Sequence, residues 1–83
     1  MTIPTPSRGA TELLLIASRY GGIRALARRI AKQSQQGTIT RHIGGNRLPV
    51  YQWRKIYKER LCIEPDWFEQ PATPAQLRRV AKL

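Results

Sequence analysis

Residues 22–49 read GIRALARRIAKQSQQGTITRHIGGNRLP, and this stretch predicts two short helices joined by a polar turn. The apolar residues of its first half recur at the spacing of one helical face: Ile23, Leu26, Ala27 and Ile30. The three arginines of this half lie off that stripe. A helix with a single apolar face packs that face against the rest of the protein, so the first half is predicted to be a supporting helix.

The second half is almost wholly polar. Ile39 and Ile43 stand one helical turn apart and are predicted to face inward, which leaves the polar residues to face outward: Gln35, Gln36, Thr38, Thr40 and Arg41. Side chains of these types form hydrogen bonds with base edges and phosphates. Gly44 and Gly45 should end the helix, because glycine adopts the left-handed closing conformation at little cost. The two halves together are interpreted as a helix-turn-helix.

The charge of the chain is strongly unbalanced. Fifteen Lys and Arg residues against five Asp and Glu residues give a net charge of +10 and a pI of about 11.2. No acidic residue lies between Glu12 and Glu59, whereas ten basic residues fall in that interval: Arg19, Arg24, Arg28, Arg29, Lys32, Arg41, Arg47, Arg54, Lys55 and Lys58. A solvated face normally mixes both signs, and so many like charges repel one another in a compact protein. The pattern indicates a polyanionic partner.

Several classes of protein are excluded by composition. Eighty-three residues suffice for one small domain, and a single cysteine and a single histidine argue against a disulfide or a protein-only metal site. The longest apolar run, residues 13–17, is too short to span a bilayer, and no signal peptide is recognisable, so a cytoplasmic protein is expected. No nucleophile stands beside a base, and His42 has no acidic neighbour to orient it as a general base. We expect no enzyme, no cofactor and no small-molecule substrate.

Helices are also predicted on both sides of the central stretch. Residues 1–6 are expected to be a loose arm, and Thr5 with Pro6, or Ser7 alone, to cap a first helix with this apolar face: Leu13, Ile16, Ala17 and Tyr20. Pro49 is expected in the first turn of a fourth helix whose buried face contains Val50, Trp53, Ile56, Tyr57 and Leu61, with Arg54, Lys55 and Lys58 on the opposite side. A short fifth helix after Pro65 should insert Trp67 and Phe68 into the core.

Residues 73–76, Thr-Pro-Ala-Gln, form a complete capping box and predict a last helix from Pro74 to about Leu83. The fold class is therefore all-α: a compact bundle of five short helices with a central helix-turn-helix, plus a C-terminal helix. We divide it into residues 1–6 as an arm, 7–70 as the helix-turn-helix domain and 71–83 as a candidate dimerisation element. The large aromatic residues lie on apolar stripes, which favours the core over platforms for stacked bases.

The order of these motifs resembles the lambda-repressor-like helix-turn-helix domains, and among them the small Cro-type phage regulators. The resemblance covers roughly residues 11–68 and is carried by Ala25-Leu26-Ala27, Thr38-Ile39-Thr40-Arg41, the glycine exit, Leu48-Pro49 and Ile63-Glu64-Pro65-Asp66-Trp67-Phe68. It implies that the second motif helix enters the DNA major groove. The chain departs from the family in residues 31–37, where the turn is about two residues longer than usual. Ser34 is favoured as the cap of the second helix, with Thr38 as the alternative.

By this analogy the base readers are Gln35, Gln36, Thr38, Thr40 and Arg41. Phosphate contacts are expected from Arg24, Arg28, Lys32, His42, Asn46, Arg47, Tyr51, Arg54 and Lys55, although His42 and Tyr51 could simply face solvent. A homodimer on a palindromic operator is expected, because a single small domain buries limited area on DNA. Its interface is expected to be Leu77, Val80 and Ala81 of the last helix rather than Leu14 and Leu15, unless that helix folds back onto its own core.

The sequence therefore predicts a sequence-specific regulator of transcription that binds double-stranded DNA, namely a phage or prophage repressor of the Cro type. Two other functions compete with this one. A small basic phage protein could inhibit a host nucleic-acid-binding complex by occupying its charged channel, or the chain could be an RNA-binding module. Sequence-specific RNA recognition usually stacks bases on exposed aromatic rings, and no such groove or sheet is predicted here.

Overall fold

The computed structural model describes residues 6–31, 33–44 and 47–83. In these ranges five α-helices follow one another: α1 (Arg8–Arg19), α2 (Ile23–Ile30), α3 (Gln36–Ile43), α4 (Tyr51–Leu61) and α5 (Pro74–Val80). Two short 3-10 helices precede α3 and α5, at Gln33–Gln35 and Pro65–Glu69 respectively. The predicted all-α bundle is confirmed. The expectations for residues 1–5, Lys32, Gly45 and Asn46 lie outside the described residues.

Helix α1 begins at the second of the two predicted caps. The Ser7 hydroxyl accepts a hydrogen bond from the Ala10 backbone N–H at 3.1 Å, which satisfies one of the otherwise unpaired donors of the first turn. The predicted face is buried except for Tyr20, which lies beyond the last turn and is exposed. Its assignment to the core is wrong; its ring instead packs 4.9 Å from the Arg29 guanidinium. Leu15 is buried and Leu14 half-buried, so Leu15 belongs to the core of the single chain.

The core is assembled from every helix except α5. On α2 the predicted stripe holds, because Leu26, Ala27 and Ile30 are buried and Ile23 packs against them. The largest fully buried side chains come from four α-helices, the second 3-10 helix and the connection before it: Tyr57, Phe68, Leu13, Leu26, Ile39, Ile63 and His42. Burial of an aliphatic or aromatic side chain of this size contributes about 1.5–3 kcal/mol. The packed helices α1, α2 and α4 thus form the base that carries α3.

Gly9 lets α1 approach the second 3-10 helix very closely. A Cβ atom at this position would lie 2.6 Å from Cγ of Phe68, nearer than two carbon atoms can pack. Phe68 is 1 % exposed, so its ring cannot move away without opening the core. The predicted role of Phe68 as a core residue is therefore confirmed, and Gly9 is the residue that makes room for it.

Helix α4 begins later than its proline suggested. Val50 is the N-cap, with extended backbone and a side chain that is 57 % exposed, and Pro49 precedes the helix. The placement of Pro49 in the first turn and of Val50 in the buried face is therefore wrong. Arg54 is half-buried, because its Nε donates a hydrogen bond to the Pro49 carbonyl at 2.8 Å. The Arg54 side chain, predicted to lie on the side of α4 opposite the buried face, is therefore bonded to the segment that precedes α4.

The two ends of the chain are held together. The predicted capping box of α5 is confirmed, with Thr73 and Gln76 bonded in both directions at 3.2 Å and 3.0 Å. The Gln76 amide also donates to the Arg8 carbonyl at 3.2 Å and to a Glu12 carboxylate oxygen at 2.9 Å. Pro6 accepts a hydrogen bond from the Ala72 backbone N–H at 3.1 Å and is therefore anchored rather than part of a loose arm.

Helix α5 therefore folds back onto α1, and it ends at Val80, before Leu83. Among the described residues, no helix combines the length and apolar character needed to cross a membrane.

Candidate nucleic-acid interface

Helix α3 has a buried face and an exposed face. Ile39 is fully buried and Ile43 packs against the core, as predicted. The exposed residues are spaced by three and four along the opposite side of the helix: Gly37, Thr40, Arg41 and Gly44. Because Gly37 and Gly44 have no side chains, Thr40 and Arg41 project between two bare stretches of backbone. This is the surface that α3 offers to a partner.

The start of α3 differs from both predictions. Gln35 is the N-cap without a side-chain capping bond, and Gln36 is the first helical residue. Ser34 lies inside the 3-10 helix two residues upstream and cannot cap α3, and Thr38 lies inside its first turn. The 3-10 helix takes up the extra residues of the long turn, since its three residues advance the chain without extending α3. Gln35 is exposed and Gln36 half-buried, both at the N-terminal end of α3.

Two of the predicted base readers are constrained by their surroundings. The Thr40 hydroxyl donates to the Gln36 carbonyl at 2.9 Å, so its oxygen can accept a hydrogen bond from a partner but its proton is already used. Thr38 is half-buried and faces a cleft of about 400 Å³ beside α3, which is also lined by His42, Arg47, Leu48, Val50 and Trp53. Arg41 is exposed, and its long side chain can donate hydrogen bonds to a partner of α3.

The prediction that His42 faces solvent or phosphate is wrong. Its side chain is 2 % exposed, and Nδ1 lies 2.6 Å from the Tyr57 hydroxyl oxygen on α4. The ring also meets Trp53 edge to face, with 5.4 Å between centroids. Burial, reinforced by the positive charge of Arg47, lowers the pKa of His42 to about 4, so the imidazole is neutral at pH 7. His42 therefore holds α3 against α4.

Tyr57 is the centre of an aromatic cluster behind α3. Its ring packs on Trp53 and Phe68, each with 5.6 Å between centroids, and burial raises its pKa above the ordinary value, so that the hydroxyl keeps its proton. Trp67 is half-buried beneath the Arg8 guanidinium, which lies 4.0 Å from the ring centroid. The interpretation of Tyr57 and Phe68 as core residues is confirmed. This rigid cluster determines how α3 is presented.

The residues predicted to contact phosphates differ in how accessible they are. The exposed ones are Arg24 and Arg28 on α2, Arg47 after α3, and Tyr51 and Lys55 on α4. Tyr51 is 77 % exposed and is the most exposed large hydrophobic residue of the described chain. Arg54 is less available than predicted, because it bonds to Pro49 and lies 3.8 Å from a Glu69 carboxylate oxygen. The predicted contacts of Lys32 and Asn46 fall on residues that are not described.

The predicted dimer surface on α5 is partly accessible. Leu77 is 46 % exposed, Ala81 is exposed and Val80 is half-buried, while Gln76 faces α1. Arg78 and Arg79 are exposed beside this stripe.

The sequence does not predict two features of this surface, namely that His42 is buried as a support for α3 and that Gly37 leaves part of the exposed face without a side chain. The spacing contained a signal for His42, because it stands three residues after Ile39 and therefore on the same helical face. No local pattern identifies its partner Tyr57, which lies fifteen residues further along the chain.

The chain matches no family model, no curated protein and no solved structure. Its function is therefore inferred from the geometry and charge of its own residues.

Proposed function

We propose that the chain is a sequence-specific regulator of transcription that inserts α3 into the major groove of double-stranded DNA, as a repressor of the Cro type does. The observation that carries this proposal is the exposed face of α3 with Thr40 and Arg41, in a chain with a net charge of +10 whose helices α2 and α4 also carry exposed basic residues. The major groove is about 12 Å wide and admits one α-helix. Gly37 and Gly44 would allow the helix backbone to come close to the groove floor.

Arg41 is proposed as the principal base reader. An arginine donates two parallel hydrogen bonds to O6 and N7 of guanine, and each such pair discriminates against a wrong base by about 1–3 kcal/mol. Gln36 and Gln35 lie at the end of α3 that would enter first, and a glutamine can bridge N6 and N7 of adenine. Thr40 would accept a hydrogen bond from an amino group or contact a thymine methyl group.

Phosphate contacts are proposed for the exposed residues on either side of α3, namely Arg24, Arg28, Arg47, Tyr51 and Lys55. His42 and Arg54 are not among the proposed phosphate contacts, because His42 is buried and Arg54 donates a hydrogen bond to the Pro49 carbonyl. The remaining cations would release counterions from DNA. A log-log slope of affinity against salt of about −0.9 for each neutralised phosphate is expected, with about three to six contacts per chain.

A homodimer is proposed to bind two half-sites about 34 Å apart, one helical turn of DNA. Leu77 and Ala81 are the apolar residues that α5 offers for this contact. Arg78 and Arg79 lie next to them, so a symmetric contact through α5 brings like charges together. Dimerisation should therefore strengthen as salt rises, whereas DNA binding should weaken. A regulator of this kind needs neither a cofactor nor a catalytic step and would act in the cytoplasm.

The test compares two single-charge variants on a library of randomised duplexes. Arg41→Ala should weaken binding to the selected site by about 1–3 kcal/mol and relax the preference at one base position. Lys55→Ala should weaken binding to selected and random duplexes alike, because a phosphate contact carries no sequence information. Single-stranded RNA of the same length serves as the competitor control. If Arg41→Ala keeps every wild-type base preference while Lys55→Ala changes them, α3 is not the helix in the groove.

A further inference from the structure

The N-terminal half of α4 borders a second cleft, of about 640 Å³, on the far side of Val50 from the cleft beside α3. Its lining combines apolar residues with three cations: Pro49, Val50, Tyr51, Pro65, Arg54, Lys55 and Lys58. We call this surface the α4 groove. Val50 and Tyr51 are 57 % and 77 % exposed, although side chains of this kind are usually buried. Contiguous exposed apolar surface with a polar rim is typical of a site for another protein.

We propose that the α4 groove binds a peptide segment of another protein in which a bulky apolar side chain stands next to carboxylates. The apolar side chain would occupy the space beside Val50, and the carboxylates would face Lys55 and Lys58. Tyr51 and Lys55 line the groove and are also proposed phosphate contacts, so a bound peptide would compete with DNA for these two residues, whereas Val50 and Lys58 line the groove without being proposed DNA contacts.

The charges of the α4 groove favour an acidic partner. Two of its cations already lie near carboxylates of the chain, Arg54 at 3.8 Å from Glu69 and Lys58 at 3.7 Å from Glu64. Three cations against two carboxylates leave a net positive charge. The Lys58 pair is about half exposed on both sides, and ion pairs of this kind are weak enough for a carboxylate of the partner to replace Glu64.

A second copy of the chain does not fit the α4 groove. Among the described residues, the large exposed hydrophobic residues outside the groove are Tyr20, Leu77 and Leu83. Each has a basic neighbour in the sequence, Arg19, Arg78 and Lys82 respectively, which the cations of the groove would repel. A DNA backbone fits poorly as well, because it has no apolar group to cover Val50. The partner with the required chemistry is therefore both acidic and apolar.

The probe is a fluorescein-labelled peptide of twelve residues, composed of Asp and Ser around a central Phe-Leu pair. Two control peptides replace either the Phe-Leu pair by Ser-Ser or every Asp by Asn. Fluorescence anisotropy should give at least about tenfold weaker binding for each control peptide, because one lacks the apolar group and the other the charge. Equal binding of the probe and the Ser-Ser peptide would overturn the proposal and indicate charge attraction alone.

Two protein variants locate the binding. Val50→Ser should weaken binding of the probe about tenfold while the fold is kept, since serine is a favourable residue at the N-cap that Val50 occupies. Lys58→Gln should weaken it about threefold, whereas the matched variant Arg60→Gln should not, because Arg60 lies on the same helix but does not line the groove. Unchanged binding of Val50→Ser, or equal losses for Lys58→Gln and Arg60→Gln, would contradict the assignment.

Val50→Ser also separates this site from DNA binding, because Val50 is not a proposed DNA contact. This variant should bind a random duplex as the wild type does; equal losses of probe and duplex binding would make the α4 groove a DNA contact and overturn the proposal. Arg41→Ala is expected to lose specific DNA binding and to keep the affinity for the probe. Homodimer formation that disappears in Val50→Ser would instead identify a second copy as the occupant.

Discussion

His42 makes the stability of this protein depend on pH in a window where few other groups titrate. The pKa of the imidazole is about 4 in the folded chain and 6.5 in the unfolded chain. Between these values the unfolded chain binds the proton and the folded chain does not, so acidification favours unfolding. His42 is the single histidine, and the ordinary pKa values of carboxylates, about 3.9–4.3, lie at the lower edge of the window. A loss of stability between pH 7 and pH 5 is therefore assigned to one residue.

The size of the effect follows from the two pKa values. At pH 5 nearly all unfolded chains carry the proton on His42, whereas only about one folded chain in ten does. The free energy of unfolding should fall by about 2 kcal/mol between pH 7 and pH 5. The full effect, about 3 kcal/mol, is reached only below pH 4. Small domains have a total stability of about 5–15 kcal/mol, so the loss is large enough to measure.

Urea unfolding followed by tryptophan fluorescence at pH 7, 6 and 5, at constant ionic strength, measures this dependence. His42→Gln provides the control, because an amide can still reach the Tyr57 hydroxyl but does not titrate. This variant should be less stable than the wild type at pH 7 and should show no change down to pH 5. A wild-type stability that is constant over this range, or an equal slope in His42→Gln, would refute the buried neutral imidazole.

Three further predictions concern the packing around α3 and the ends of the chain. Gly9→Ala should destabilise the protein by about 1–3 kcal/mol, because the added Cβ meets the Phe68 ring. Gly37→Ala should stabilise it by about 0.5–1 kcal/mol, because the added Cβ meets nothing within 4 Å and alanine favours a helix. Urea unfolding of both variants measures the two changes. Tyr57→Phe should lower the free energy of unfolding by about 1–3 kcal/mol, since it leaves Nδ1 of the buried His42 without its hydrogen-bond partner. The matched surface variant Tyr51→Phe should change this free energy by less than about 0.5 kcal/mol. Leu77→Glu should convert the proposed dimer into a folded monomer in sedimentation experiments, and an unchanged dimer would move the interface away from α5.

The parts of the fold that could be predicted depend on neighbours in sequence. The Ser7 cap, the Thr73 capping box and the inward side of α2 follow from spacings of three and four residues, which a local pattern contains. The parts that could not be predicted depend on distant partners. Gly9 is required by Phe68, and the place of His42 by Tyr57, and neither pairing has a local signature.

The turn before α3 shows a third kind of error. Its polar residues suit an N-cap and favour Ser34 in that role, yet the 3-10 helix at Gln33–Gln35 delays the start of α3 to Gln36. A 3-10 helix and the first turn of an α-helix have similar sequence preferences. Helix starts are therefore uncertain by one or two residues whenever the capping side chain is not decisive.

The C-terminal helix cannot be removed to test its role in dimerisation. Gln76 is buried and its amide bonds to the Arg8 carbonyl and to Glu12, so a chain that ends at Pro71 loses contacts of the monomer as well as the candidate interface. Loss of a dimer after that truncation would have two explanations. A substitution at Leu77, which is 46 % exposed, changes the candidate interface and keeps the contacts that Gln76 makes with α1.

The buried pair of His42 and Tyr57 has a consequence for the base reading proposed for α3. Hydrogen bonds to base edges tolerate errors of only a few tenths of an ångström, so the helix that makes them must be held in one orientation before it meets DNA. Apolar contacts at Ile39 and Ile43 alone would allow α3 to slide or rotate slightly, because they have no direction. The hydrogen bond between His42 and Tyr57 does have a direction, and it fixes the buried side of α3, whereas Arg41 lies on the exposed side. Weakening this bond should therefore reduce discrimination between bases more than it reduces binding to random DNA, since phosphate contacts on flexible side chains adapt to small shifts of the helix.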